Sequence, residues 1–473
     1  MSLKLLEDLR KSRDRLNLNT ENSSCPSGSL PPWSKAKSRD IEEEAKDIAT
    51  GSSAEGVENV RDKSSRDRKA GKQAGALGHG RSEELEVTDE KYHKPSECAG
   101  CGREFAECWD FTSTGGHYVL DVERNGLGLR VTYVKHLYGK RECVCGHVTE
   151  TEPGRCEDEE GWKVSLTEHH LVGPMLCSLL ICLSLRMRLS RCRIQEFLAD
   201  WLGIHLSVGC INQRITEGGR AMAPLEEELL QAIEDSELLH ADETSWKENG
   251  KTVWLWVLRA TTVTFYIIGS RSWEVIAKAL ENFGGWLMSD GYGQYRKYSK
   301  RLRCLAHIIR KARGLSESTH PEAAAFGETV LDFLQIVIKA IYNARGDPSI
   351  ELQQQFAQRL EIFKELCEFF RDYHHEKTRQ FARELLNDWD AIWNILDFPH
   401  LPITNNLAKR TLRHWVISRK ISYGTRTPQG SKAFTLLASV IDTCRQRGVS
   451  PWPYIAQVIA MRRNGLNPPP LPS

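Results

Sequence analysis

Two carboxylates stand 48 positions apart, each closing an apolar run: Asp242 ends "SELLHAD" and Asp290 ends "GGWLMSD". A charge at the end of a buried strand is costly unless it is paired, so such an acid either caps a turn or holds a cation. Alone, Asp242 before "ETS" and Asp290 before "GYG" each read as a turn residue. Together, in this order, they read as a cation site. Carboxylate oxygens suit Mg²⁺, which keeps water and substrate phosphate in its other positions. Two such ions can activate an attacking oxygen and stabilise the leaving one in an in-line phosphoryl displacement. A second set of residues offers sulfur. "CAGC" supplies Cys98 and Cys101, and "ECVCGH" supplies Cys143 and Cys145. Two thiolate pairs on short loops either side of a hairpin can converge on one tetrahedral Zn²⁺. The second pair has the tighter C-x-C spacing, so His147 or Cys156 can stand in as a ligand.

The elements that must position these groups follow from the patterning. Residues 1–90 hold a single aromatic, Trp33, and are rich in Ser, Gly and charge; they read as one short helix, Lys4 to Leu16, and a disordered linker. Residues 91–165 alternate in hydrophobicity around "RNGLG" and read as a zinc-binding β module with a hairpin. Residues 166–235 read as helical and possess a helix–turn–helix shape, with Ser207 as an N-cap and Asn212, Gln213 and Arg214 on the candidate reading helix. An ordinary helical hairpin is the equal alternative. Residues 236–316 return to period-two apolar runs, with a helix at "SWEVIAKALENF". Residues 317–397 are helical, and 398–473 carry a basic helix and a C-terminal tail. The fold class expected is multidomain α+β. Its catalytic core would be a ribonuclease H-like α/β sheet, in which the first acid lies on the opening strand and the second on a strand beside it. An α-helical insertion, residues 317–397, interrupts that core.

Composition narrows the setting. A net charge of +1 over 473 residues excludes a globally basic chain, so nucleic-acid contacts must come from local patches. One candidate patch is Arg410, Arg413, Arg419, Lys420 and Arg426, interleaved with Trp415 and Tyr423, which suits phosphate neutralisation and stacking; a solvated helix face over two core aromatics is the alternative. No run of about 18 uncharged apolar residues suggests a membrane span, and the charged N-terminus lacks the apolar centre of a secretory signal. Fourteen cysteines without such a signal suggest reduced thiols inside a cell.

The ordered segments "HADETSW", "WLWVLRA", "SRSWEV", "SDGYGQY", "CLAHIIRKA" and "ITNNLAKRTLRHWVISRKISYGTRTPQGSKAF" resemble the insertion sequence 66 family of bacterial transposases, the TnpC type, from roughly residue 90 to 460. The resemblance implies a DDE-type DNA transposase: Mg²⁺-dependent cleavage of transposon-end DNA by water, then attack of the freed 3′-hydroxyl on target DNA. It implies two Mg²⁺ at Asp242 and Asp290 and a structural Zn²⁺ at Cys98, Cys101, Cys143 and Cys145. His307, in a Cys-x-Ala-His-x-x-Arg motif, is expected to contact DNA or to support the site, and the further DNA contacts expected are Arg310, Lys311, Arg410, Arg413, Arg419 and Lys420. It also implies a cytoplasmic, nucleoid-associated protein that forms a homo-oligomer on DNA, together with companion proteins of the same element. One position departs from the family pattern. Where the family has Asn-Asn-x-Ala-Glu-Arg, this chain reads "NNLAKR", placing Lys409 at the third acid, and no Asp or Glu lies between Pro399 and Asp442. A protonated lysine cannot coordinate Mg²⁺. Impaired catalysis is therefore expected, the alternative being a non-catalytic DNA-binding remnant or regulator. Lys409 is expected to reach over the acids and pair with Asp242 or Asp290, and Glu243, on the opposite strand face, to be structural.

Overall fold

The computed structural model describes residues 86–126, 128–347 and 351–473; the expected Lys4–Leu16 helix and its linker lie outside the described residues. Period-two sequence gives the first sheet: β1 (Asp89–His93), β2 (Thr112–Asn125), β3 (Gly128–Glu142) and β4 (Val148–Glu150). β2 and β3 form a long antiparallel hairpin in the order β1-β3-β2, and β4 pairs with β3. The turn falls in "RNGLG", where Gly126 takes a left-handed φ of 46°.

Four helices follow: α1 (Pro174–Leu185), α2 (Arg191–Leu202), α3 (Val208–Ala221) and α4 (Leu225–Glu234). The helical reading of residues 166–173 is corrected. Leu120 and Gly173 exchange backbone bonds with Leu171 and Leu120, pinning this segment to β2, and Pro174 then opens α1 at a position that suits it. Ser207 does cap α3, accepting from the Cys210 amide at 3.1 Å, and Gly203 closes α2 in the left-handed region.

The second sheet contains β5 (Leu238–Glu248), β6 (Lys251–Arg259), β7 (Thr264–Gly269), β8 (Trp286–Ser289) and β9 (Arg301–Arg303), in the order β7-β6-β5-β8-β9. β5–β6–β7 is an antiparallel meander, whereas β8 and β9 run parallel to β5. The expected "SWEVIAKALENF" helix is only one turn, α5 (Glu274–Ala277), continued by a 3-10 turn at Lys278–Leu280. Trp273 supplies no side-chain cap, and Val275 and Ile276 are β-branched. Next come α6 (Leu305–Ser316), α7 (Pro321–Gly346), α8 (Leu352–Phe370), α9 (Glu376–Asn387) and α10 (Trp389–Trp393). The chain then returns to the sheet through α11 (Asn406–Ser422), α12 (Pro428–Gln446) and α13 (Pro451–Arg463).

Two apolar cores meet at this sheet. One joins β5–β7 to α1, α3, α11, α12 and α13. The other packs β8, β9 and α6 against α7–α10 through Phe326, Phe356, Phe363 and Trp393. Trp415 is fully buried on α11 against Tyr266 and Phe434, so truncating it to Ala would cost about 3–5 kcal/mol. Gly219 lets α3 approach α12 closely, since a Cβ there would lie 2.3 Å from that of Ala433.

Candidate metal and nucleic-acid sites

Cys98, Cys101, Cys143 and Cys145 bring their sulfurs within 4.8 Å of one another. The Cys98–Cys145 and Cys101–Cys143 separations are both 3.7 Å, close to the roughly 3.8 Å edge of a tetrahedron built with 2.3 Å Zn–S bonds. Each pair sits on a tight turn: the Gly102 amide donates to the Cys98 carbonyl and the Gly146 amide to that of Cys143. Both glycines have left-handed φ. The open choice of ligands resolves here. His147 packs against Gly100, and Cys156 is buried elsewhere beside Glu159. A four-cysteine cluster compatible with zinc is therefore present.

The second site lies where the pairing of β5 with β8 stops. The expectation that Asp242 closes its strand is corrected, because β5 runs on to Glu248 along β6, with Asp242 opposite Val257. Asp242 lies two residues beyond His240, the last residue of β5 that pairs with β8, and Asp290 is the residue after β8. Burial, then the charges of Asp290 and Glu243, push the Asp242 carboxyl up to about 8, with Lys409 opposing. Asp242 thus sits in a local deficit of positive charge. Asp290 also accepts from the Tyr292 amide at 2.9 Å, the turn role that "DGYG" suggested. Gly291 beside it packs closely under the Arg303–Glu384 pair: a Cβ would lie 2.2 Å from Arg303 Nη2 and 2.6 Å from Glu384 Oε1, so these side chains would have to shift.

Glu243 is closer to the chemistry than a purely structural reading implies. Burial and Asp290 raise its pKa. Its Oε1 accepts from Arg271 Nη2 at 2.8 Å and its Oε2 from the Tyr295 hydroxyl at 2.8 Å. Both oxygens are therefore engaged.

Lys409 reaches this site but does not pair with either aspartate. Its ammonium donates to His307 Nε2 instead, which corrects the expected ion pair. Burial and then the Lys409, Arg310, Arg303 and Lys311 charges drive His307 down to about 2, so its ring is a neutral acceptor. Burial also lowers the pKa of Lys409. Asn405 fixes this geometry: its Nδ2 donates to the Ala241 carbonyl at 2.6 Å, its Oδ1 meets His240 Nδ1 at 3.1 Å, and its amide donates to Cys304 Sγ. The start of α11 is thereby fastened to β5 one residue before Asp242. Behind the site, buried Asp388 binds Arg296, Arg301 and Arg303 at 2.8, 2.6 and 3.2 Å, tying the α9–α10 junction to β9. Burial opposes its ionisation, but these guanidinium groups hold its carboxyl below the usual range.

The candidate nucleic-acid residues divide by placement. Arg410, Arg413, Lys420 and Arg426 are exposed along α11 and the turn after it, as is Tyr423. Arg419 is instead tied to β5 through Thr244 and Ser245, Lys311 pairs with Glu384, and Trp415 belongs to the core. On α3, Asn212 and Gln213 are exposed, whereas Arg214 is buried in an ion pair with Glu217 at 2.8 Å. Sequence reasoning missed Asn405, Arg271, Tyr295 and Asp388. Only the "NN" before a basic helix hinted at the first; the others meet their partners across long chain separations.

The second sheet is thus an antiparallel meander continued by parallel strands, with Asp242 within β5, Asp290 just after the neighbouring β8, and the basic helix α11 fastened to β5 by Asn405. The Transposase IS66 family model matches residues 169–433, more than half of the chain. The chain belongs to this family. Among relatives, it is 24% identical over 395 residues to the uncharacterized protein y4jD of Sinorhizobium fredii (strain NBRC 101917 / NGR234), covering 76% of this chain and 74% of that one. It is 23% identical over 296 residues to the uncharacterized protein y4qI of the same organism, spanning 56% of this chain and about half, 54%, of y4qI. The family match begins after the cysteine cluster. No helix among the described residues is long and apolar enough to cross a membrane.

Proposed function

We propose that this chain is a DDE-type DNA transposase with a damaged catalytic site: it binds the ends of its element, and Lys409 leaves cleavage impaired. The observation that carries this reading is that Asp242 within β5, Asp290 just after the neighbouring β8 and Lys409 on α11 share one electrostatic site, Lys409 holding the position that matches the family's third acid. The strand order β7-β6-β5-β8-β9, antiparallel then parallel, supports a ribonuclease H-like core, with residues 317–397 as its helical insertion and 91–165 as a zinc module. The oxygen donors Asp242, itself short of positive charge, and Asp290 fit one Mg²⁺. They do not fit the full set for two, because the third corner carries an ammonium and Glu243 is already bound by Arg271 and Tyr295. When bound, Mg²⁺ would supply charge stabilisation at a scissile phosphate. Asn405 sets the spacing between β5 and α11, and Arg410, Arg413 and Lys420 face outward to neutralise DNA phosphates. Assembly as a homo-oligomer on DNA, companion proteins and a nucleoid location belong to the same reading.

Lys409 favours a second reading, a regulator that occupies transposon ends without cutting them. Both readings require end recognition. A competition binding assay with a duplex of the element's terminal sequence and a scrambled duplex tests them together. Preferential binding of the end, retained by Asp242→Asn, is expected. Equal affinity for both duplexes would remove the transposon-end reading.

A further inference from the structure

A pocket of about 300 Å³ opens between α1, β6, α11 and α12, on a part of α11 that the acidic site does not use. Four guanidinium groups line it, Arg186, Arg259, Arg410 and Arg445, with His414 and a single acid, Asp442. Asp442 is already engaged: Oδ1 accepts from Arg186 Nη1 at 3.1 Å and Oδ2 from the Tyr266 hydroxyl at 2.7 Å. His414 adds no charge at neutral pH, because burial lowers its pKa; its Nε2 lies 2.7 Å from the Leu185 carbonyl. Arg259, Arg410 and Arg445 have no carboxylate within ion-pair distance among the described residues. Arg259 donates from Nη1 to Thr264 Oγ1 at 3.1 Å, and its buried Nε has no partner. Three like charges around one concavity repel each other, and the half-buried Arg259 with its unpartnered Nε is the least solvated of them, so an anion joining them would be stabilised.

We propose that this pocket binds a phosphate group, and that the group is a backbone phosphate of the DNA the protein holds. Forked guanidinium donors match phosphate oxygens in geometry as well as charge. The pocket is also placed to continue a DNA path. Arg410 directly follows Lys409 on α11, and Arg259 pairs across the sheet with His240, two residues before Asp242. A strand anchored here would run beside the acidic site with its register set by the protein. The DNA assignment rests on the transposase reading; the phosphate assignment does not.

Arg410 and Arg445 are exposed, so the double variant Arg410→Gln/Arg445→Gln should fold. Two measurements on the full chain separate the possibilities. In the first, thermal unfolding is followed in millimolar inorganic phosphate and in sodium chloride of equal ionic strength. Phosphate should raise the unfolding temperature of the original protein and not that of the double variant; an equal rise in both, or none in either, overturns the pocket. In the second, duplex DNA binding is followed against salt. The double variant should bind about 10-fold more weakly, with a log–log salt slope shallower by about 1–2. An unchanged slope, with phosphate stabilisation lost, would overturn the backbone assignment and give the pocket to free phosphate or a nucleotide. If the original protein binds no DNA, the transposase reading fails while the first measurement still decides the pocket.

Discussion

The two candidate metal sites of this chain were assembled by different means, and only one is complete. The sulfur site takes four ligands of one kind from two tight turns bridged by a single hairpin, and all four converge. The carboxylate site takes Asp242 from β5, Asp290 from the end of β8 and its third corner from α11, more than a hundred residues later. There the third residue is Lys409, held by His307. A site built from adjacent turns is either present or absent as a unit. A site gathered across a whole domain can lose one ligand and keep its architecture, because Asn405, Asp388 and the two cores hold the backbone independently of that ligand.

If the contrast is right, the largest effect should come from the sulfur site. Removing metal with a chelator, or replacing Cys143 by Ser, should unfold the β1–β4 sheet, since structural zinc binding contributes on the order of 10 kcal/mol. Limited proteolysis should then cut within residues 91–165 first. The purified protein should carry one zinc, and loss of zinc without any change in proteolysis would break the comparison.

Next in size is the clamp on the carboxylate site. Asn405→Ala deletes bonds to Ala241 and His240 in a buried setting and should cost about 2–3 kcal/mol in urea unfolding. Zinc content should be untouched. A cost below about 0.5 kcal/mol would show that α11 is fastened by other contacts.

A smaller effect separates the two regions by pH. In the first sheet His93 Nε2 lies 3.0 Å from His136 Nδ1, and burial followed by the charges of His117 and His93 brings His136 down to about 4. Its folded pKa is thus below the unfolded value of about 6.5. The neutral ring contributes stability that is complete above pH 6.5 and lost as pH falls towards 4. His136→Gln should remove about 1 kcal/mol of that acid sensitivity after allowance for solvent screening, seen as converging urea midpoints for the two proteins at pH 7 and 5. An unchanged pH dependence would place the acid sensitivity elsewhere.

What the sequence disclosed follows the same division. Cys98, Cys101, Cys143 and Cys145 are legible because ligand type and short spacing are local properties. Asp242 and Asp290 stand out because an acid closing an apolar run is anomalous, although Asp242 proves to lie mid-strand, since β5 runs on along β6 to Glu248. The β2–β3 hairpin and the Ser207 cap announce themselves through turn and cap chemistry. Arg271 and Tyr295 on Glu243, and the three arginines on Asp388, are not legible, since nothing local marks which charge will meet which. Lys409 shows both sides. Its misfit to metal chemistry is visible in "NNLAKR", yet its choice of His307 over the aspartates is set by where α6 places that ring. Likewise Trp415 and Arg419 share the basic stretch with Arg413, and only helix phase on the sheet turns the first two inward.

The central claim is that Lys409 alone separates this carboxylate site from a working one. Cleavage of a labelled transposon-end duplex in Mg²⁺ or Mn²⁺, by the original protein and by Lys409→Glu, measures it directly. The original should cut poorly or not at all, and Lys409→Glu should restore cutting with little change in DNA affinity, because one contact among many phosphate contacts moves affinity modestly. Full cleavage by the original protein, or equal inactivity of both, would contradict it.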